Sequence, residues 1–419
     1  MRGGPLFFVL AFLFSGAAAP ETLLDHEVRL GPDGILLPWT DYETVIKGSI
    51  EYLVHCPARK TAHGKDPWYL ITSKLREDGS FRANQNNQGG NAWFLVDTLV
   101  RRHALTGDNS LLPVARKLLD RMMLYHTPAD WAWPGVPRTQ DDSPDGQYTD
   151  STSEPDKMCM AGGAYIRFFR FTGEKKYLEA ARRVAGTVFA HAIPGDASHS
   201  PLPFRVNMNT GEVLDPYTSN MVAAVIFLDL LAEEKIEPER HKKLRDGIWA
   251  WIMAWPVKNM RWSGYFEDVK TNQENMNQLT ALETARYMLE HPDREPSWRE
   301  AVPPIIAWVE DRFGKARRFN AISLCEQDCC MFEMASHTAR HASVLARWHK
   351  LTGDKEAKEK ALAMLALSTY SAFSRHSKKG RSLNYVGVGY LDPWFSDSYF
   401  DYLPHLLSGM ADLPEMRGR

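Results

Sequence analysis

Cysteine is scarce in this chain, with five in 419 residues. A disulfide framework cannot hold a fold of that size, and an odd count leaves at least one thiol unpaired within the chain, so a packed core must supply the stability. Charge of a single sign is missing as well, since 50 basic residues face 52 acidic ones. That balance lacks the basic footprint of a nucleic-acid binder. No apolar run approaches the roughly 20 residues that span a bilayer. There is no Gly-x-x-x-x-Gly-Lys element, no His-Glu-x-x-His element and no Asp-x-Asp-Asp element, so nucleotide, zinc-protease and terpene-cyclase chemistry lack their usual signatures. An organic cofactor is not expected. Cys325, Cys329 and Cys330 cluster, with His337 and His341 following, but no second cysteine pair completes a zinc set; a local disulfide or buried thiols are expected there rather than a metal.

The first residues read as an export signal. Arg2 supplies the basic start, Leu6 to Leu13 a short apolar run, and Ser15 to Ala19 the small residues suited to cleavage. The expectation is residues 1–19 as signal peptide, residues 20–419 as one domain, and a secreted or periplasmic product free of the membrane after cleavage. The absence of an Asn-x-Ser/Thr acceptor fits a bacterial exported protein.

What the chain does contain is a repeat. Leu105-Thr106-Gly107-Asp108, Phe171-Thr172-Gly173-Glu174 and Leu351-Thr352-Gly353-Asp354 each follow an apolar stretch and precede an amphipathic one. Glycine suits the left-handed residue that ends a helix, and an acid just beyond it suits the start of the next. From Gly107 to Gly173 is 66 positions and from Gly173 to Gly353 is 180, close to three further steps. The period predicts two more turns near 233–239 and 290–297, and with helices near 40–54 and 396–407 it makes about twelve helices in six pairs. The first helix of a pair, such as Met158 to Phe171, is apolar nearly all round; the second, as in Lys175 to Ala190, carries Tyr177, Leu178, Ala181, Val184, Ala185 and Val188 on one stripe. An inner ring of buried helices within an outer ring of amphipathic ones satisfies both patterns, giving an all-α (α/α)6 toroid. One β-hairpin is expected as an accessory, with Pro203 to Val206 and Glu212 to Leu214 flanking Asn209-Thr210-Gly211.

In such a double ring the segments entering the inner helices share one face. They are 84–91, 150–157, 215–220, 267–277, 325–333 and 392–401, and they concentrate carboxylates, amides and aromatics. One helix start needs one cap, so the surplus implies a polar, aromatic-lined cavity. Flat C–H faces of sugar rings stack on aromatics while their hydroxyls pair with amides and carboxylates. Asn91, Trp131, Trp133, Tyr217, Asn220, Trp262, His337, Trp394 and Tyr399 are the candidate binding residues. The insertion from Thr127 to Pro155 is expected to wall the cleft.

The Thr-Gly-Asp/Glu turns, the period of about sixty residues and the polar segments before each inner helix resemble the six-hairpin glycosidase superfamily over nearly the whole mature chain. The resemblance implies a carbohydrate substrate. Glycoside hydrolysis needs one carboxylic acid and one opposed carboxylate, which points to Glu154 or Asp156 on one side with Glu326, Asp328 or Asp397 on the other. Asp397 and Asp401 lie one helical turn apart, and Asp141, Asp142 and Asp145 form a further acidic cluster on a Pro/Gly loop. A uronate polysaccharide lyase is the runner-up, with a base and a carboxylate-neutralising group drawn from His337, Tyr399, Asn220 and Arg205. A non-catalytic glycan-binding module would need the aromatics alone.

Overall fold

The computed structural model describes residues 22–23, 26–54, 59–60, 67–68, 73–75, 81–83, 87–139, 149, 151–266, 269, 273–316, 319–370 and 398–418. Among them are twelve α-helices: α1 (Tyr42–Val54), α2 (Gln88–Thr106), α3 (Leu112–Leu124), α4 (Pro155–Thr172), α5 (Lys175–Val188), α6 (Met221–Glu233), α7 (Pro238–Ile252), α8 (Gln278–Glu290), α9 (Trp298–Phe313), α10 (Ala335–Thr352), α11 (Lys355–Thr369) and α12 (Ser398–Asp412). The even-numbered helices form the inner ring: each packs on the next, and α12 closes back onto α2. The odd-numbered helices lie outside, with α1, the first helix, against α12, the last. The fold is the expected (α/α)6 toroid.

Burial follows the composition of each ring. Every residue of α4 from Pro155 to Ile166 is buried, whereas α5 buries only Tyr177, Ala180, Ala181, Val184, Ala185 and Val188. The three Thr-Gly-acid turns are copies of one network. Gly107, Gly173 and Gly353 end their helices at φ 75°, 75° and 78°, each N–H donating to the carbonyl four residues back at 2.7 Å. The preceding threonine hydroxyl donates into its own helix and accepts from the acidic residue's N–H at 3.2–3.4 Å. The turn between α6 and α7 uses left-handed Lys235 and Glu237 in place of glycine.

The expected hairpin is present as Arg205–Asn207 paired antiparallel with Val213–Asp215, and Thr152–Ser153 extends it to three strands. A second three-stranded sheet, Gly314–Ala316, Ile322–Gln327 and Cys330–Met334, leads into α10. The sequence predicts one hairpin only; the segment expected as an entering loop at 325–333 instead lies within two paired strands, Leu324 opposite Met334 and Cys325 opposite Glu333, with Ser323 to Gln327 all buried. Among the described residues no helix is long and apolar enough to cross a membrane.

Candidate functional site

The first turns of the inner helices meet at the face predicted from their polar entry segments. Helix α4 begins with Glu154 at its cap and Asp156 and Lys157 in its first turn, all three with fully buried side chains. The Lys157 ammonium lies 3.3 Å from Glu154 Oε2 and 3.1 Å from Asp156 Oδ2, donates to the Tyr265 carbonyl, and sits 3.9 Å from the Tyr265 ring centroid and 4.9 Å from that of Phe204. A buried charge persists only when so compensated. Asn220, at the start of α6, donates from Nδ2 to Asp156 Oδ2 at 2.8 Å. Asp156 Oδ1 has no hydrogen-bond partner in the protein. Burial raises the Asp156 pKa above the ordinary carboxylate value, against the opposing pull of Lys157 and Asn220. Gly89 permits this packing of α2 on α4, because a Cβ there would lie 2.2 Å from the Lys157 carbonyl oxygen.

On α10 and α12 a second buried cluster forms. Arg340 pairs with Glu283 at 3.1 Å and with Asp401, and its Nη1 contacts His337 Nδ1 at 2.9 Å. His405 bridges Asp401, 3.2 Å from its Nε2, and Arg286, 2.9 Å from its Nδ1. Burial and the Arg340 guanidinium push the His337 pKa down to about 3, and burial likewise lowers that of His405. Deeper along the inner ring, Asp97 pairs with Arg101 at 2.7 Å and Arg167 at 3.4 Å. Inner-helix faces that look apolar overall thus carry balanced ion pairs between neighbouring helices.

Several buried polar atoms at this face have no partner. They are both amide atoms of Gln88 and of Gln278, Ser336 Oγ, His337 Nε2 and Asp156 Oδ1. Each belongs to the first turn of an inner helix: α2, α8, α10, α10 and α4. Leaving a buried polar group unpaired costs about 1–3 kcal/mol, and native proteins tolerate few. They recur at the starts of four of the six inner helices. The glutamines carry a repeat the sequence reading passed over. Asn87-Gln88 and Asn277-Gln278 both open inner helices, and in both the asparagine is spent as the cap, accepting from Gly90 N at 2.8 Å and Thr280 N at 3.0 Å, while the glutamine's side-chain amide has no hydrogen-bond partner in the protein.

Other candidates fall in different places. Glu326 is buried on Ile322–Gln327, the middle strand of the sheet that leads into α10, a helix three places round the inner ring from α4. Asp328 is held by Arg312 at 2.8 and 2.7 Å and accepts from Met276 N at 3.1 Å, so both of its oxygens are engaged in joining α9 to the α8 entry. Trp133, Tyr217 and Trp262 are fully buried in the core: Trp133 stacks on His191 at 4.1 Å, and Tyr217 donates to the Arg261 carbonyl at 3.0 Å beneath its guanidinium. Trp131 is half-buried under Arg138, 5.2 Å away, and Asn91 is buried one turn into α2. Arg205 pairs with Asp215, and His341 faces Glu310 of α9 at 2.8 Å, so neither joins the cluster. Asp397, Trp394 and the acidic cluster Asp141, Asp142 and Asp145 lie outside the described residues; Tyr399 is in the first turn of α12, its side chain outside the description. Among the described residues no group of three or more metal-ligating side chains converges.

The architecture matches solved structures. A family 76 glycoside hydrolase (mannosidase) from Bacteroides thetaiotaomicron superposes with TM-score 0.61 at 11% identity, over 90% of this chain and 99% of that one. A cellobiose 2-epimerase from Spirochaeta thermophila gives 0.60 at 11%, over 82% and 90%. At such identities the likeness shows the fold, an (α/α)6 toroid. A polysaccharide lyase shares it at TM-score 0.54 and 12% identity, this chain covering 53% of that one. No family model and no curated protein matches the sequence.

Proposed function

We propose that this protein is an exported glycoside hydrolase that holds a sugar at the first turns of the inner helices and cleaves its glycosidic bond by carboxylate acid–base catalysis. The observation that carries the reading is the unpaired set at Gln88, Asp156, Gln278, Ser336 and His337, which supplies donors and acceptors at the spacing of neighbouring helices, as a polyhydroxylated ring requires. Carbohydrate-acting enzymes of several chemistries among the structural neighbours support a sugar substrate.

Asp156 is suited to the general acid. Burial raises its pKa, which favours the protonated form, and because Oδ2 faces the donors Asn220 and Lys157, a proton taken up by the carboxyl would sit on the unpaired Oδ1. The acid thus presents its O–H to the leaving-group oxygen. Glu326, on the middle strand of the sheet that leads into the helix opposite α4 in the ring, is the proposed second carboxylate that activates water or attacks. Asp156→Asn should cut turnover of a neutral oligosaccharide by about 100-fold or more with folding intact, since the amide preserves the contact to Lys157. Wild-type turnover in that variant would remove Asp156 from the mechanism.

A further inference from the structure

Two arginines fix the tautomers of the two histidines in this cluster. A guanidinium only donates and does not lose its proton in proteins. The nitrogen that faces Arg340 Nη1 at 2.9 Å, His337 Nδ1, must therefore accept. A proton on that nitrogen would be directed at the guanidinium's own hydrogens, and the nearest carboxylate oxygen, Asp401 Oδ2, is 3.7 Å away, beyond hydrogen-bond reach. Neutral imidazole carries one proton, so it resides on Nε2, the atom that is buried without a partner in the first turn of α10. The same logic holds for His405: Nδ1 accepts from Arg286 Nη2 at 2.9 Å, and Nε2–H donates to Asp401 Oδ1 at 3.2 Å. There the donated proton has an acceptor; at His337 it does not.

We propose that His337 is a fixed, uncharged hydrogen-bond donor whose Nε2–H grips an acceptor oxygen of the bound sugar, a hydroxyl or ring oxygen, and that it is not a base. The part concerning the sugar rests on the functional reading above; the tautomer does not. The charged and titratable groups around the ring are Arg340 on its own helix, Asp401 and His405 on α12, and Glu283 on α8. Arg340 is neutralised by Asp401 and Glu283, so the cluster imposes no excess charge, and protonating His337 at Nδ1 would require Arg340 to be displaced. A base at this position would need its lone pair where the proton is, which removes His337 from the elimination chemistry for which the sequence makes it a candidate.

The test uses the full-length protein labelled with 15N-histidine. Side-chain nitrogen spectra from pH 5 to 8 should show His337 with Nε2 protonated and Nδ1 bare at every pH, and the Nε2 signal should move when mannotetraose, as a neutral probe, is added. A proton on Nδ1, or a titration within that window, overturns the assignment. An unchanged Nε2 signal under saturating mannotetraose, in a protein that does bind it, overturns the grip while leaving the tautomer standing. Failure of the wild type to bind any neutral oligosaccharide instead defeats the functional reading. As a second arm, His337→Gln, whose amide nitrogen reproduces the donor, should keep KM within about threefold, whereas His337→Leu should raise it about tenfold, the size expected for one neutral hydrogen bond. Equal KM values for the two variants count against the proposal.

Discussion

Replacing Lys157 by Met removes the charge on which the start of α4 is built while keeping the length of the side chain. Glu154, Asp156 and Lys157 are fully buried together, so deleting the ammonium strands two carboxylates away from water. Breaking a buried pair in this way costs about 3–5 kcal/mol, a large share of the roughly 5–15 kcal/mol that separates folded from unfolded domains. The pH dependence separates this cause from a mere packing defect. In the wild type, burial already raises the Asp156 pKa although Lys157 opposes it; without Lys157 it rises further. A carboxyl with a raised folded pKa stabilises the fold below its unfolded value, and that contribution is lost as pH climbs through the folded value. Urea midpoints of the two proteins should therefore diverge between pH 5 and 8 and draw together as pH falls toward the unfolded carboxylate value of about 4. A loss that is the same at every pH, or one below about 1 kcal/mol, refutes the view that the ammonium is there to compensate buried acid.

Three other outcomes follow from local geometry. Gly353→Ala introduces a Cβ that meets nothing within 4 Å but must adopt φ 78°, so thermal unfolding should report a loss of about 1–2 kcal/mol from backbone strain alone; no loss would mean the turn relaxes. Burial works to raise the Glu310 carboxyl, but His341 and Lys360 outweigh it and hold the pKa down at about 2, so its stabilising contribution is present above the ordinary value near 4.5 and is lost as pH falls toward 2; Glu310→Gln should flatten the melting temperature over that acid range, and an unchanged slope would contradict the assignment. Trp131→Ala should weaken apparent affinity for oligosaccharide while leaving the core intact, as the ring is only half-buried; unchanged affinity would return it to a structural role.

The architecture was legible in the sequence because its signals are local. Each Thr-Gly-acid turn spends its residues on its own backbone, and the contrast between α4 and α5 is written in consecutive side chains. The turn at Lys235 and Glu237 was found from the period alone, since no glycine marks it. The sheet before α10 was hidden by its polar residues: Ser323 and Glu333 join side chains across strands that read as a loop. The site was legible in location but less so in partners. Lys157 reaches the Tyr265 carbonyl 108 positions away, and Arg340 reaches Asp401 across 61; pattern within a helix cannot choose such mates. Aromatic content misled in a different way, because Trp133, Tyr217 and Trp262 sit at the predicted face of the sequence yet are consumed by the core.

The most direct measurement is to incubate the purified protein with parallel panels of neutral and uronate-containing glycans, following reducing ends and the ultraviolet absorbance of an unsaturated uronate together. New reducing ends from a neutral glycan without absorbance, abolished by Asp156→Asn, is the predicted result. Reducing ends and absorbance rising together on a uronate glycan would establish elimination and contradict the assignment of Asp156 as the acid of a hydrolase.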